Sequence, residues 1–176
     1  MPAGRGSTQV YPENCCMSPA ALRHRNLPLL LLQAREALMA QFRPLLNAEG
    51  VTEQQWRIIR SLGEAEDAGF GPLEPRQLCE LCSISSPSIA GVLARMEEVG
   101  LVRRERMDSD QRRVRVSLTA ASRAIATRIA PQAEARYSAL ETAIGVEVMQ
   151  QVYDTLDRLL GHLADADSPA SDNGTN

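Results

Sequence analysis

The chain has 176 residues, 44% of them apolar and only 3% aromatic, so a core is affordable and must be built from Leu, Val, Ile, Ala and Met. That length suits one domain with ragged ends. The net charge of −3 argues against a protein that coats nucleic acid without selectivity, so any such contact must come from a local patch. All 19 basic residues are Arg.

Met1 to Ser18 is polar, contains Pro and Gly, and lacks the apolar stretch of a secretory signal. The apolar run from Leu27 to Leu32 falls far short of the ~20 residues that span a bilayer. The expectation is a soluble cytoplasmic protein with no membrane partner, in which Cys15, Cys16, Cys79 and Cys82 are reduced thiols. Residues 1–22 and 165–176 read as flexible or disordered tails around a folded region, 23–164.

The first expected helix runs from about Leu27 to Asn47, with Pro28 in its first turn. Leu27, Leu31, Ala34, Leu38, Phe42 and Leu45 recur at helical spacing, and Leu29, Leu30 and Leu32 make other faces apolar. A helix apolar on several sides needs more partners than one small domain offers, which points to a subunit interface. Thr52-Glu53-Gln54-Gln55 is a capping-box pattern opening a second helix to about residue 66, with Trp56, Ile59 and Leu62 on one face. A short third helix follows Pro75, with Leu78, Leu81 and Cys82 inward. Ser83-Ile84-Ser85 makes a tight turn into a fourth helix that starts at Ser86, its expected N-cap, and stops at Gly100.

Ile89, Val92, Met96 and Val99 form the expected buried face of the fourth helix, while Ser88, Gly91 and Arg95 fall opposite. Small residues let a helix sit deep in a major groove, and serine hydroxyls bond base edges or phosphates. Ser85, Ser86, Pro87, Ser88, Gly91 and Arg95 are the candidate contacts. Alone, such a face is also that of an ordinary solvated helix.

Two strand-like runs follow around a polar turn, from Leu101 to Thr119. Six arginines there face three acids, a local +3 in an acidic chain. An arginine-rich hairpin suits the negative potential of a narrow groove. Asp110 can hold the tip while Arg112 enters the groove, with Arg113 beside it; the competing reading pairs these charges among themselves. Short helix, turn, second helix and hairpin in that order describe a winged helix–turn–helix, mainly α with a small β-hairpin wing. Thr119 then caps a long helix to about Ala143, bent at Pro131, and a last helix carries Val148, Val152, Leu156, Leu159 and Leu163 as an apolar stripe.

An enzyme is not expected. The chain has two histidines, His24 and His162, no glycine-rich phosphate loop and no nucleophile motif. Cys79-x-x-Cys82 lacks a second pair to complete a zinc site, so neither metal nor other cofactor is expected, and both cysteines read as small buried hydrophobes. Two alternatives stay open: cysteine-based redox sensing, and a winged-helix module that binds protein.

Ser88-Ile89-Ala90-Gly91, Met96-Glu97, Gly100-Leu101-Val102, Asp110-Gln111-Arg112 and Thr119 together resemble the signature of the MarR family of bacterial transcriptional regulators. Ser122 departs from it, standing where the family usually has Gly or Ala. The run from Arg25 to Glu36 is similar to the first helix of the branch that controls aromatic-acid catabolism, in regulators of homoprotocatechuate operons and of nicotinate degradation. The resemblance implies a homodimer through helices at about 27–47 and 119–163, with DNA-binding lobes at about 52–118 on a double-stranded, pseudo-palindromic operator. It also implies repression relieved by a small aromatic carboxylic acid, such as a hydroxylated nicotinate or homoprotocatechuate, bound between dimer helices and lobe. Such an acid needs a cationic anchor and an apolar slot. Arg35, flanked by Leu31 and Leu38, is the candidate anchor, with His24, Arg25 and Asn26 as polar contacts and Trp56 as a wall. Against this, Arg35 can pair with an acid across the dimer, Trp56 can be core, and His24 can face solvent.

Overall fold

The computed structural model describes residues 23–107 and 110–166. The expected tails at 1–22 and 167–176, with Cys15 and Cys16, lie outside the described residues, as does the side chain of Asp110. The chain divides into two units, Met1–Leu38 and Met39–Asn176. Its elements run α1 (Leu27–Ala48), α2 (Glu53–Asp67), α3 (Pro75–Cys82), α4 (Ser86–Glu98), β1 (Val102–Met107), β2 (Asp110–Leu118), α5 (Ala120–Ile144) and α6 (Val146–Ala166). One expected boundary moves: Asp165 and Ala166 continue the last helix rather than open a disordered tail, because no Gly or Pro stops it before Ser168.

In the first unit, the Asn26 side-chain oxygen accepts from the Leu29 N–H at 3.0 Å and so starts α1. Leu27, Leu29, Leu31, Leu32 and Leu38 of that helix are 38–54% exposed.

In the second unit, both halves of the Thr52 capping box form. The Gln55 N–H donates to the Thr52 hydroxyl at 3.2 Å, and the Thr52 N–H to the Gln55 side chain at 2.8 Å. α2 buries Ile58, Ile59 and Leu62, α3 buries Leu78 and Cys82, and α4 buries Ile89, Val92, Leu93 and Met96. Val102, Val116 and Leu118 of the hairpin and Ile125 and Ile129 of α5 close the same core. β1 and β2 pair antiparallel from Val102↔Leu118 to Arg106↔Val114, with the register shifting at Met107. Leu73 adds one antiparallel bridge to Val116, so the wing is tied to the segment before α3.

Two expected core residues are exposed. Leu81 is 62% exposed, because α3 has eight residues and points Leu78 and Cys82 inward; Leu81 is rotated about 60° from one and 100° from the other. Val99 is 63% exposed, because α4 ends there and Leu101 returns to the core instead, its N–H on the Met96 carbonyl at 2.7 Å. Trp56 packs against the core but is only half-buried, and Ile58 takes the deeper place. Cys79 is likewise only half-buried.

Ser122 is fully buried, and its hydroxyl is satisfied within the cap of α5. It is the third residue of α5, and its hydroxyl accepts from the Thr119 N–H at 3.0 Å and donates to the Thr119 carbonyl at 3.1 Å. The Thr119 hydroxyl in turn accepts from the Ser122 N–H at 3.3 Å and donates to the Gly100 carbonyl at 2.7 Å. One threonine thus starts α5 and closes the base of the wing.

Arg–Glu pairs fasten elements distant in sequence. Arg123 bonds Glu66 at 2.8 Å, Arg128 bonds Glu49 at 2.7 Å, and Arg43 bonds Glu53 at 2.6 Å. Arg104 of β1 reaches back to Glu97 of α4, its Nε at 2.7 Å and its backbone N–H at 3.2 Å. Arg104 holds the Glu97 carboxyl below the ordinary carboxylate range, and Arg128 does the same for Glu49.

Ser122→Ala removes one half of a reciprocal cap and should lower unfolding stability by about 1 kcal/mol, measured by urea titration at fixed protein concentration. The Glu97 pKa is depressed in the folded state, so its contribution is full above the unfolded value, ~4.3, and is lost as pH falls through the folded value. Glu97→Gln should therefore reduce the loss of stability on acidification below about pH 4. A Gln variant with an unaltered acid limb would show that this pair does not contribute.

Candidate nucleic-acid interface

The turn between α3 and α4 is closed by Ser83 at φ 48°, ψ 50°, the only non-glycine residue with positive φ among the described residues. The Ile84 N–H returns to the Cys79 carbonyl at 3.1 Å and the Ser83 N–H to Glu80 at 3.3 Å, the hydrogen-bond pattern of a left-handed helix stop. The equivalent stops after α2 and α4 use Gly69 and Gly100, where no Cβ opposes the conformation.

Ser85, not Ser86, is the N-cap of α4, since its extended backbone (φ −65°, ψ 147°) precedes the first helical residue. Its hydroxyl donates to Ser88 Oγ at 2.9 Å and gives the helix no side-chain cap. Ser85, Ser86, Pro87, Ser88 and Arg95 are exposed and Gly91 is half-buried; by helical spacing Ser88, Gly91 and Arg95 point away from the buried stripe, while Ser85 and Ser86 lie at its N-terminal end. A Cβ on Gly91 would sit 3.7 Å from the Arg95 guanidinium, in ordinary contact, so that arginine lies along the helix beside the glycine. Ser88, Gly91 and Arg95 therefore share one face, with a hydroxyl near the N-terminus and a guanidinium two turns on.

Arg112 and Arg113 are both exposed on β2. Arg113 pairs with Glu74, the N-cap of α3, and so braces the wing against the lobe. Arg103 pairs with Glu105 at 2.8 Å within β1. Part of the hairpin's positive charge is thus structural, while Arg106, Arg112 and Arg115 also stand exposed on the wing. The pairing of the bracing acids Glu74 and Glu97 with their arginines has no sequence signature, since each meets its arginine only through the fold.

The proposed effector residues fall in both units. His24, Arg25 and Asn26 are exposed in the first, and Asn26 already serves as helix cap. Arg35 is exposed and pairs with the adjacent Glu36. Trp56 belongs to the second unit, where a cluster missed in the sequence lies near it. Arg60, one turn beyond Trp56 on α2, bonds Glu64 at 2.7 Å. Glu64 first, then the Tyr137 side chain, raises the Arg60 pKa. Tyr137 in turn meets Phe42 at a tilt of 47°, with ring centroids 5.1 Å apart. A half-exposed guanidinium beside a phenol and an aromatic pair can take a carboxylate and a ring together. The signal available was Arg60 at i+4 from the only tryptophan.

Burial pushes the Cys82 thiol pKa up, which disfavours the thiolate that redox chemistry requires. Among the described residues no group of three His, Cys, Asp or Glu is placed to hold a metal. No described helix is long and apolar enough to cross a membrane.

The profile of the MarR family matches residues 49–113, which hold α2 to the wing tip. The HTH-type transcriptional regulator FarR of Neisseria gonorrhoeae is 41% identical over 141 residues, 80% of this chain and 93% of FarR. The homoprotocatechuate degradative operon repressor of Escherichia coli is 40% identical over 148 residues, 83% of this chain and 97% of the repressor. The crystal structure of NadR in complex with 4-hydroxyphenylacetate superposes with a TM-score of 0.69 at 42% identity, covering 81% of this chain and 97% of NadR. FarR is a transcriptional regulator and the Escherichia coli protein an operon repressor. With such identity over nearly the whole length of each relative, the chain belongs to the MarR family.

Proposed function

We propose that two copies of this chain form a cytoplasmic repressor that holds a pseudo-palindromic operator and releases it on binding a small phenolic or other aromatic acid. The observation that carries the reading is the division of α4 into a buried apolar stripe and an exposed Ser/Gly/Arg face, with an arginine wing beside it. Half-sites lie about one helical turn apart, ~10 bp between centres. The α4 face, from Ser85 to Arg95, docks in the major groove, and Arg112, supported by Asp110 and Arg113, enters the adjacent minor groove. Dimerisation covers the exposed leucines of α1 and the exposed Val148, Val152 and Leu163 of α6, surfaces too apolar to leave in water.

The effector class is supported by two relatives: one is a homoprotocatechuate operon repressor, and another was solved with 4-hydroxyphenylacetate. We place the carboxylate at Arg60, with Tyr137, Phe42 and Trp56 offering a hydroxyl and ring surfaces. Arg35, with His24, Arg25 and Asn26, is the rival anchor.

Arg112→Ala should weaken operator binding about tenfold or more with the dimer's mass unchanged, measured by fluorescence anisotropy and light scattering. Unaltered affinity would remove Arg112 from the interface. Arg60→Ala should retain operator binding but no longer release DNA when titrated with 4-hydroxyphenylacetate or homoprotocatechuate, whereas Arg35→Ala should still respond. The reverse pattern moves the anchor to α1.

A further inference from the structure

We propose that Arg57 of α2, which touches no groove-facing surface, is a positioning residue for DNA reading, setting the angle of α4 through the Cys82 carbonyl. The inference rests on the DNA-reading assignment of α4. Arg57 is half-buried, and its Nη1 donates to the Cys82 carbonyl, 25 residues away in sequence. Cys82 is the last residue of α3, and the next residue, Ser83, takes the left-handed conformation that turns the chain into α4. Carbonyls at a helix C-terminus carry partial negative charge and lack helical partners, so a guanidinium there makes a charge-assisted bond.

A second contact from the same stripe of α2 reinforces the first. The Cys82 thiol donates to the hydroxyl of Ser61, one turn beyond Arg57, at 3.5 Å. α2 therefore grips the end of α3 at two atoms, one backbone and one side chain. The grip falls where the backbone is least comfortable, since Ser83 lacks the freedom that glycine gives the neighbouring helix stops. Released from Arg57, the turn has other conformations available, and the exposed face of α4 loses its fixed aim. Contacts to phosphates tolerate such a change better than contacts to base edges, because phosphate attraction is long-ranged and base readout is geometric.

The test compares two duplexes of equal length, one selected by the wild-type dimer from a random pool and one with the same bases scrambled. Arg57→Met keeps the bulk and removes the donors. It should lower affinity for the selected duplex at least about tenfold, leaving affinity for the scrambled duplex and the salt slope on it unchanged. Arg57→Lys keeps a donor but not the planar fork, and should restore most of the discrimination. Equal losses on both duplexes with a lowered thermal midpoint and no rescue by Lys would show a merely structural residue and overturn the proposal, as would full discrimination by Arg57→Met. Should Arg57→Met fail to fold, Arg57→Gln, shorter and uncharged, carries the test: a several-fold loss confined to the selected duplex supports the proposal, and no loss or a uniform one overturns it. A wild-type dimer that enriches no duplex refutes the DNA-reading assignment itself, a failure visible before any variant is compared.

Discussion

The arrangement of the lobe depends on one packing constraint, the burial of the inner stripe of α4. Ile89, Val92, Leu93 and Met96 meet Ile58, Ile59 and Leu62 of α2 and Leu78 of α3. Burying each such side chain contributes about 1.5–3 kcal/mol. A rotation of α4 by one residue, about 100°, would exchange Ile89, Val92 and Met96 for Ser88, Gly91 and Arg95. The outward face is thus chosen from within: Ser88, Gly91 and Arg95 are presented because their neighbours are not free to leave the core. The wing follows the same rule, with Val102, Val116 and Leu118 buried at its base and its arginines outside.

Much of this was legible in the chain. The capping box at Thr52, the proline at the start of α3, Gly100 after α4 and the 3.6-residue periodicity of the leucines fix the helices, because each is a local rule about hydrogen bonds or burial. The misplaced N-cap shows where local rules stop: Ser85 and Ser86 are chemically identical, and only the backbone angles decide which stands outside the helix. Leu81 and Val99 were misread because helical spacing says which residues share a face but not where a short helix ends relative to its neighbours.

The electrostatic frame was not legible. Glu74–Arg113 and Glu66–Arg123 join residues 39 and 57 positions apart, and no periodicity brings such partners together. A composition view counts the wing's arginines as one positive patch, whereas the fold assigns some to bracing and leaves others outward. Arg57 and Arg60 lie three residues apart on α2, where spacing alone does not tell them apart; one reaches a helix carbonyl and the other sits with Glu64 and Tyr137. α2 accordingly carries the proposed effector residues on one stripe and the grip on the helix–turn–helix on the adjoining one, a short path between ligand and groove.

The bond from the Thr119 hydroxyl to the Gly100 carbonyl, 2.7 Å, gives the wing a particular freedom. It joins the two ends of the hairpin segment at their root, so the tip beyond the core-buried base and its bracing pairs is a closed excursion from the lobe. The entropy of closing such an excursion grows only as the logarithm of its length, about 0.6 kcal/mol for each doubling. Lengthening or shortening the tip therefore disturbs the helices very little. The reach and charge of the wing can diverge among descendants of this chain while the lobe that carries it stays the same, which lets the fold acquire new operators without being rebuilt.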